Sequence, residues 1–253
     1  MRSLFQSRTP EPPPVVEPVP TVFPKISGAD LAAVFAGKRI AGDFYDSIRV
    51  SPERVLFGLL DVAGRREDNR AILTVAQDIF RNLGKELFSR PDLNESDAMT
   101  ELSIRINRAL IESSKGVRPC PAFIGCYHEM FGTLCYTNAG HTPGLLHDRT
   151  GVSELASTGL PLGLFSHATL DAPTVGLEPG ATLLLVSRGV IECDGRGKCT
   201  DEFGLDRVKD LLRSAPEGSA HQLCVSIMNA SAEFTAHSPL RDDRTALALL
   251  RNI

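Results

Sequence analysis

The order in which strand-like and helix-like segments follow one another constrains this chain most. Asp43–Val50 and Val55–Val62 are strand-like and flank the turn pair Pro52-Glu53, which predicts a hairpin. Ile72, Ala76, Ile79 and Leu83 then recur at helical spacing, with Asp68 or Asn69 as a start and Gly84 as a stop. A second helix begins at Ser96 and carries Met99, Leu102, Ile106 and Leu110 on one face. Ala122–Tyr136 reads as two strands turning near Phe131-Gly132, and further strands fall around Gly144–His147 and Ala181–Val186. Helical patterns at Leu205–Leu212 and Ala220–Phe234 precede a last strand at Ala246–Leu250. A doubly wound sheet needs strand and helix to alternate, and here they come in pairs. The pattern predicts an α+β fold with mostly antiparallel sheets.

Seven of the sixteen residues from Thr9 to Pro24 are proline, a density that favours an extended, solvated backbone. Residues 1–24 are therefore expected to be a disordered proline-rich leader and residues 25–253 one folded domain. The longest apolar runs, such as Ala181–Val186 around its single Thr, are far shorter than the roughly 20 residues of a membrane span. Residues Met1–Arg8 hold no apolar run of signal-peptide length. With 27 Lys+Arg against 31 Asp+Glu, the net charge of −4 comes without a basic block, which argues against nucleic-acid binding. The six cysteines include no C-x-x-C pair and read as reduced thiols in a core. The chain is expected to be cytoplasmic.

Acidic residues at strand ends carry the chemical signal. Asp43 and Asp46 lie in Ala41-Gly-Asp-Phe-Tyr-Asp46, Asp61 closes the run from Val55, and Asp242 and Asp243 precede the final strand. Carboxylates brought together in this way raise one another's pKa unless a cation relieves them, and oxygen ligands suit magnesium or manganese. Aspartates also cap turns, and the pattern alone leaves both explanations open.

These segments resemble the SpoIIE-like branch of the PPM-type metal-dependent serine/threonine phosphatases. That branch shows G-G-D-F-Y-D, D-V-S-G-x-G, N-A-G-H-x-P, G-x-P-L-G, T-D-G-V-x-E and D-D-x-T in order. Here they correspond to Ala41–Asp46, Asp61–Gly64, Asn138–Pro143, Gly159–Gly163, Ser187–Glu192 and Asp242–Thr245. The resemblance implies an α-β-β-α sandwich of two antiparallel sheets between helical layers. It also implies a site holding two Mn2+ or Mg2+ ions about a bridging water. By motif, Asp61 would bridge both ions, the Val62 carbonyl would complete the first site and Asp43 would support it. Asp242 would bind the second ion, with Asp243 beside it. The implied substrate is a phosphoserine or phosphothreonine on a regulatory phosphoprotein, with an anti-sigma-factor antagonist as the default.

Arg188 departs from that pattern, because the family places a metal-ligating Asp there. An arginine cannot ligate a metal or lose its charge, so the second site is expected to be weak or absent. Milder departures are Ala41 for Gly, Ala63 for Ser, and the missing second Gly after Gly64. Two functions follow. In one the chain is an active phosphatase in which Asp61 holds the remaining metal and Arg188 clamps the phosphate. In the other it is a pseudophosphatase that binds a regulatory partner without hydrolysis.

Overall fold

The computed structural model describes residues 18–37, 42–62, 66–90, 92–114, 118–167, 169–195, 202–236 and 242–252. Two five-stranded antiparallel sheets lie between helical layers. One has the order β2 (Gly42–Ser51), β3 (Arg54–Val62), β4 (Ala122–His128), β5 (Thr133–Ala139), β8 (Thr174–Gly176). The other runs β1 (Ala29–Ala36), β10 (Arg244–Arg251), β9 (Thr182–Val186), β6 (Gly144–Asp148), β7 (Gly151–Leu155). Helices α1 (Arg66–Phe88) and α2 (Glu95–Ser113) cover the first sheet. Helices α3 (Arg188–Ile191), α4 (Gly204–Arg213) and α5 (Ala220–Phe234) cover the second.

Strand period two explains how the layers are filled. On β3, Val55, Phe57 and Leu59 face the other sheet, where they meet Leu183, Leu185, Leu247 and Leu249. Leu56, Leu60 and Val62 point the other way, into the helical layer with Phe80, Met99, Leu102 and Ile106. Strands apolar on both faces have to lie in an inner layer, and here the second sheet covers one face and the helices the other. The α-β-β-α architecture expected from the sequence is the one observed.

Several local expectations are corrected. Helix α1 does not stop at Gly84 but continues to Phe88. A Cβ at Gly84 would approach Leu56 Cδ2 at 2.7 Å, so this glycine permits close helix–sheet approach rather than ending the helix. Strand β1, rich in alanine and weak in β-propensity, went unrecognised, as did the short β7 and β8; β1 is held by an eight-residue register against β10. The turn at Phe131-Gly132 is present, with Gly132 at φ 63°. Residues 18–24, grouped with the leader by composition, lie against the domain: Val19 exchanges hydrogen bonds with the Gln77 side chain, and Phe23 stacks on Tyr45. The remainder of the leader, residues 1–17, falls outside the described residues, as do Ala41, Ala63, Gly64, Arg65 and Cys199. The five described cysteines are buried free thiols. No described helix is long and apolar enough to cross a membrane.

Candidate metal centre at one end of the sandwich

The sheets place four of the sequence-predicted residues together. Asp43 and Asp61 are direct register partners on β2 and β3, so their side chains share the face turned toward the second sheet. From that sheet, the Thr245 hydroxyl on β10 donates to Asp43 Oδ2 at 2.7 Å. Asp242 and Asp243 lead into the same strand. Parity also sorts the two aspartates of β2. Asp46, three residues on, points to the opposite face and is held by Arg81 Nε at 2.6 Å and Gln77 Nε2 at 3.0 Å. It takes no part in the site.

The turn that carries Arg188 is fixed to β10 from both sides. Ser187 N donates to the Thr245 carbonyl at 2.9 Å, and Thr245 N donates to Ser187 Oγ at 3.0 Å. A Cβ at Gly189 would collide with the Asp243 carbonyl, which explains the small residue after Arg188. From this turn Arg188 reaches three carboxylates: Asp242 Oδ2 at 3.6 Å, and Asp61 Oδ2 and Glu192 Oε2 at 3.7 Å each. Its guanidinium thus lies between Asp61 of one sheet and Asp242 of the other.

The electrostatics record a shortage of positive charge beyond this arginine. Burial pushes Asp43 up to about 7, helped by the charges of Asp61 and Asp243 and opposed by hydrogen bonds from Ser187 and Thr245. Burial likewise raises Asp61; Arg188 opposes the shift, and Asp242 and Glu192 add to it. Asp243 is raised by burial and by Asp242, and its Oδ2 is buried without a hydrogen-bond partner. Such a donor set, all oxygen and short of charge, fits a hard cation beside Asp43 and Asp61. It does not fit a second ion between Asp61 and Asp242, where Arg188 lies. Among the described residues, no three His, Cys, Asp or Glu side chains are already gathered around one point as an ion would gather them.

Val62, the expected carbonyl ligand, ends β3, and its oxygen accepts from Asn69 Nδ2 at 3.1 Å. Ser187 and Thr245 stand within two of the motifs without a role that the motifs reveal, and Asn69 is marked by sequence only as a possible helix start. What each does depends on the packing of distant segments. Asn138 and His141 shape their own loop. The Asn138 amide donates to the Thr142 and Leu155 carbonyls and accepts from His141 N at 2.9 Å.

Antiparallel sheets stacked between helices, with carboxylates converging at the strand ends, define a PPM-type phosphatase fold. The chain belongs to the SpoIIE family, whose model, described as Stage II sporulation protein E, matches residues 51–252. Among curated relatives, it is 23% identical over 265 residues to protein IcfG of Synechocystis, covering 92% of this chain and 40% of that protein. Against phosphoserine phosphatase RsbU of Bacillus subtilis, identity is 22% over 238 residues, covering 92% of this chain and 66% of the relative. The chain therefore spans about two fifths to two thirds of the length of these relatives. The SiaA-PP2C domain of Pseudomonas aeruginosa superposes with a TM-score of 0.69 at 21% identity, over 86% of this chain and 83% of that domain.

Proposed function

We propose that this chain is a metal-dependent protein phosphatase acting on a phosphoserine or phosphothreonine monoester of a regulatory phosphoprotein. The observation that carries the reading is the convergence of Asp43, Asp61, Asp242 and Asp243 from two sheets at one acidic end of the sandwich. Relatives named phosphoserine phosphatases, RsbP and RsbU, support it, and the anti-sigma-factor antagonist that the sequence resemblance implies is the default substrate. Asp61, Asp43 and the Val62 carbonyl would hold one Mn2+ or Mg2+. Asp242 and Asp243 would hold the other where a second is admitted. When bound, such ions supply a nucleophilic water at neutral pH and neutralise phosphoryl charge. The chain's own contribution is to hold carboxylates on rigid strand ends and to present the planar fork of Arg188. In the active one-ion alternative that fork leaves its carboxylates and clamps two phosphoryl oxygens; substitution of Arg188 distinguishes this from a fork that only blocks the second ion.

A second reading, the pseudophosphatase, is favoured by Arg188 itself, which fills the gap between Asp61 and Asp242 with a permanent charge. One substitution separates the two. Arg188→Asp should tighten binding of a second manganese by at least tenfold, about 1.4 kcal/mol, and raise hydrolysis of an aryl phosphate. If Arg188 instead clamps phosphate in an already active enzyme, both Arg188→Asp and Arg188→Ala will lose activity. A pseudophosphatase whose site has collapsed will respond to neither.

A further inference from the structure

Beside the carboxylates, the site contains a second, uncharged device. Asn69 is fully buried in the first turns of α1, and its amide lies between two groups of opposite demand. On one side Nδ2 donates to the Val62 carbonyl at 3.1 Å; on the other, Arg118 Nη1 donates to Oδ1 at 2.7 Å. A guanidinium can only donate, so the atom facing Arg118 has to be the amide oxygen. That leaves the NH2 facing Val62. Arg118 thus removes the twofold ambiguity that an isolated buried amide would have.

Arg118 is fixed in turn. Two residues on, Cys120 exchanges backbone hydrogen bonds with Leu162 at 2.7 and 3.1 Å, and a Cβ at Gly163 would collide with the Arg118 carbonyl. Gly163 sits at φ 75°, where a side chain would be strained. The same turn is bolted to α2 through Asn107, which accepts from Gly163 N at 2.7 Å and donates to the Phe165 carbonyl at 2.9 Å. The Gly159–Gly163 motif therefore serves the site at a distance, by holding Arg118.

We infer that Asn69 is a positioning residue for the Val62 carbonyl, taking one lone pair of this oxygen and directing the other toward the cation site, with Arg118 locking the amide's orientation. The inference rests on the reading of Val62 as an ion ligand. Partners that orient metal ligands from behind are commonly worth ten- to hundredfold in metal affinity. Here the oriented ligand is a backbone oxygen, which no substitution of Val62 can remove.

The test uses the full chain and manganese alone, with free Mn2+ followed by electron paramagnetic resonance. Asn69→Ala should weaken binding about tenfold. Arg118→Met, which leaves the amide in place but unlocked, should weaken it less, and Arg118→Lys, which restores a donor, should recover most of the loss. A second readout follows the carbonyl itself. The dipeptide Val-Ala occurs twice, at Val62-Ala63 and Val75-Ala76, so labelling valine with 13C at the carbonyl and alanine with 15N gives two resolved correlations. In Asn69→Ala the Val62 carbonyl resonance should move upfield while that of Val75, inside α1, stays put. An unmoved Val62 resonance, or unchanged manganese affinity in a folded Asn69→Ala, overturns the inference. Failure of the parent chain to bind manganese would overturn the metal reading, and the role of Asn69 with it; the carbonyl resonance would still report whether Asn69 holds Val62.

Discussion

His141 shows how a single buried residue ties the stability of the fold to pH. Burial pushes its imidazole down to about 4, and its Nε2 has no hydrogen-bond partner. In the unfolded chain the ring titrates near 6.5. The native state therefore binds fewer protons than the unfolded state between these values. Stability from this group is complete above about pH 6.5, falls as the pH drops, and is gone below about 4. The loss amounts to roughly 3 kcal/mol over that window. Asp43, raised to about 7 in the folded chain, binds an extra proton over the same window and contributes the opposite slope. His141→Asn should therefore remove the rising contribution and leave the melting temperature falling with pH between about 4 and 6.5; a slope identical to the parent's would show that another group sets it. The N-A-G-H motif contains His141, but nothing in the motif tells of its burial. A motif records which residues recur, and the desolvation that tunes them comes from segments folded over the top.

At the scale of elements, the amphipathic helices and the central strands were readable because their periods are set by their own side chains. Met99, Leu102, Ile106 and Leu110 all enter the core from α2, as their spacing requires. Strand β1 was not readable, because Ala29-Asp-Leu-Ala-Ala-Val-Phe-Ala36 becomes a strand through its partner β10 rather than through its own propensity. The same limit applies to Asp46. Its place in the motif suggested the site, whereas the structure buries it under α1 with Arg81, Gln77 and Thr21. Arg81 donates to both carboxylate oxygens, at 2.6 and 2.9 Å, and Asp46 is almost wholly buried. Removing the arginine strands that charge, so Arg81→Ala should destabilise the fold by roughly 3 kcal/mol, the low end for a broken buried pair because Arg81 is partly solvated. Deleting residues through Val22 removes Val19 and Thr21 from the same cluster and should lower the melting temperature by less. Chemical denaturation of both variants checks the order; a neutral Arg81→Ala would mean that Gln77 and Thr21 suffice.

On the scale of the molecule, the site is where the two sheets are tied, and Arg188 is one of the ties. It reaches Asp61 of the first sheet and Asp242 at the edge of the second, while Thr245 spans the same gap to Asp43. In the proposed one-ion state, the ion is held by Asp43, Asp61 and Val62, all on the first sheet, and the connection to the second sheet falls to the guanidinium. This arrangement makes a specific thermal prediction. Manganese at a hundred times its Kd should stabilise the parent chain by about 2.7 kcal/mol, or roughly 5–10 °C for a domain of this size. Asp61→Asn should abolish that shift, and Asp242→Asn should leave it intact, because no parent-chain ion touches the second sheet. In the Arg188→Asp background the dependence should reverse. Without metal the variant should melt below the parent, having lost its bridge and gained a carboxylate. With manganese it should recover, and that recovery should now require Asp242, since the second ion takes over the tie between sheets. If Asp242→Asn already abolishes the shift in the parent chain, the ion and the arginine share the gap, and the assignment of one ion to one sheet is wrong.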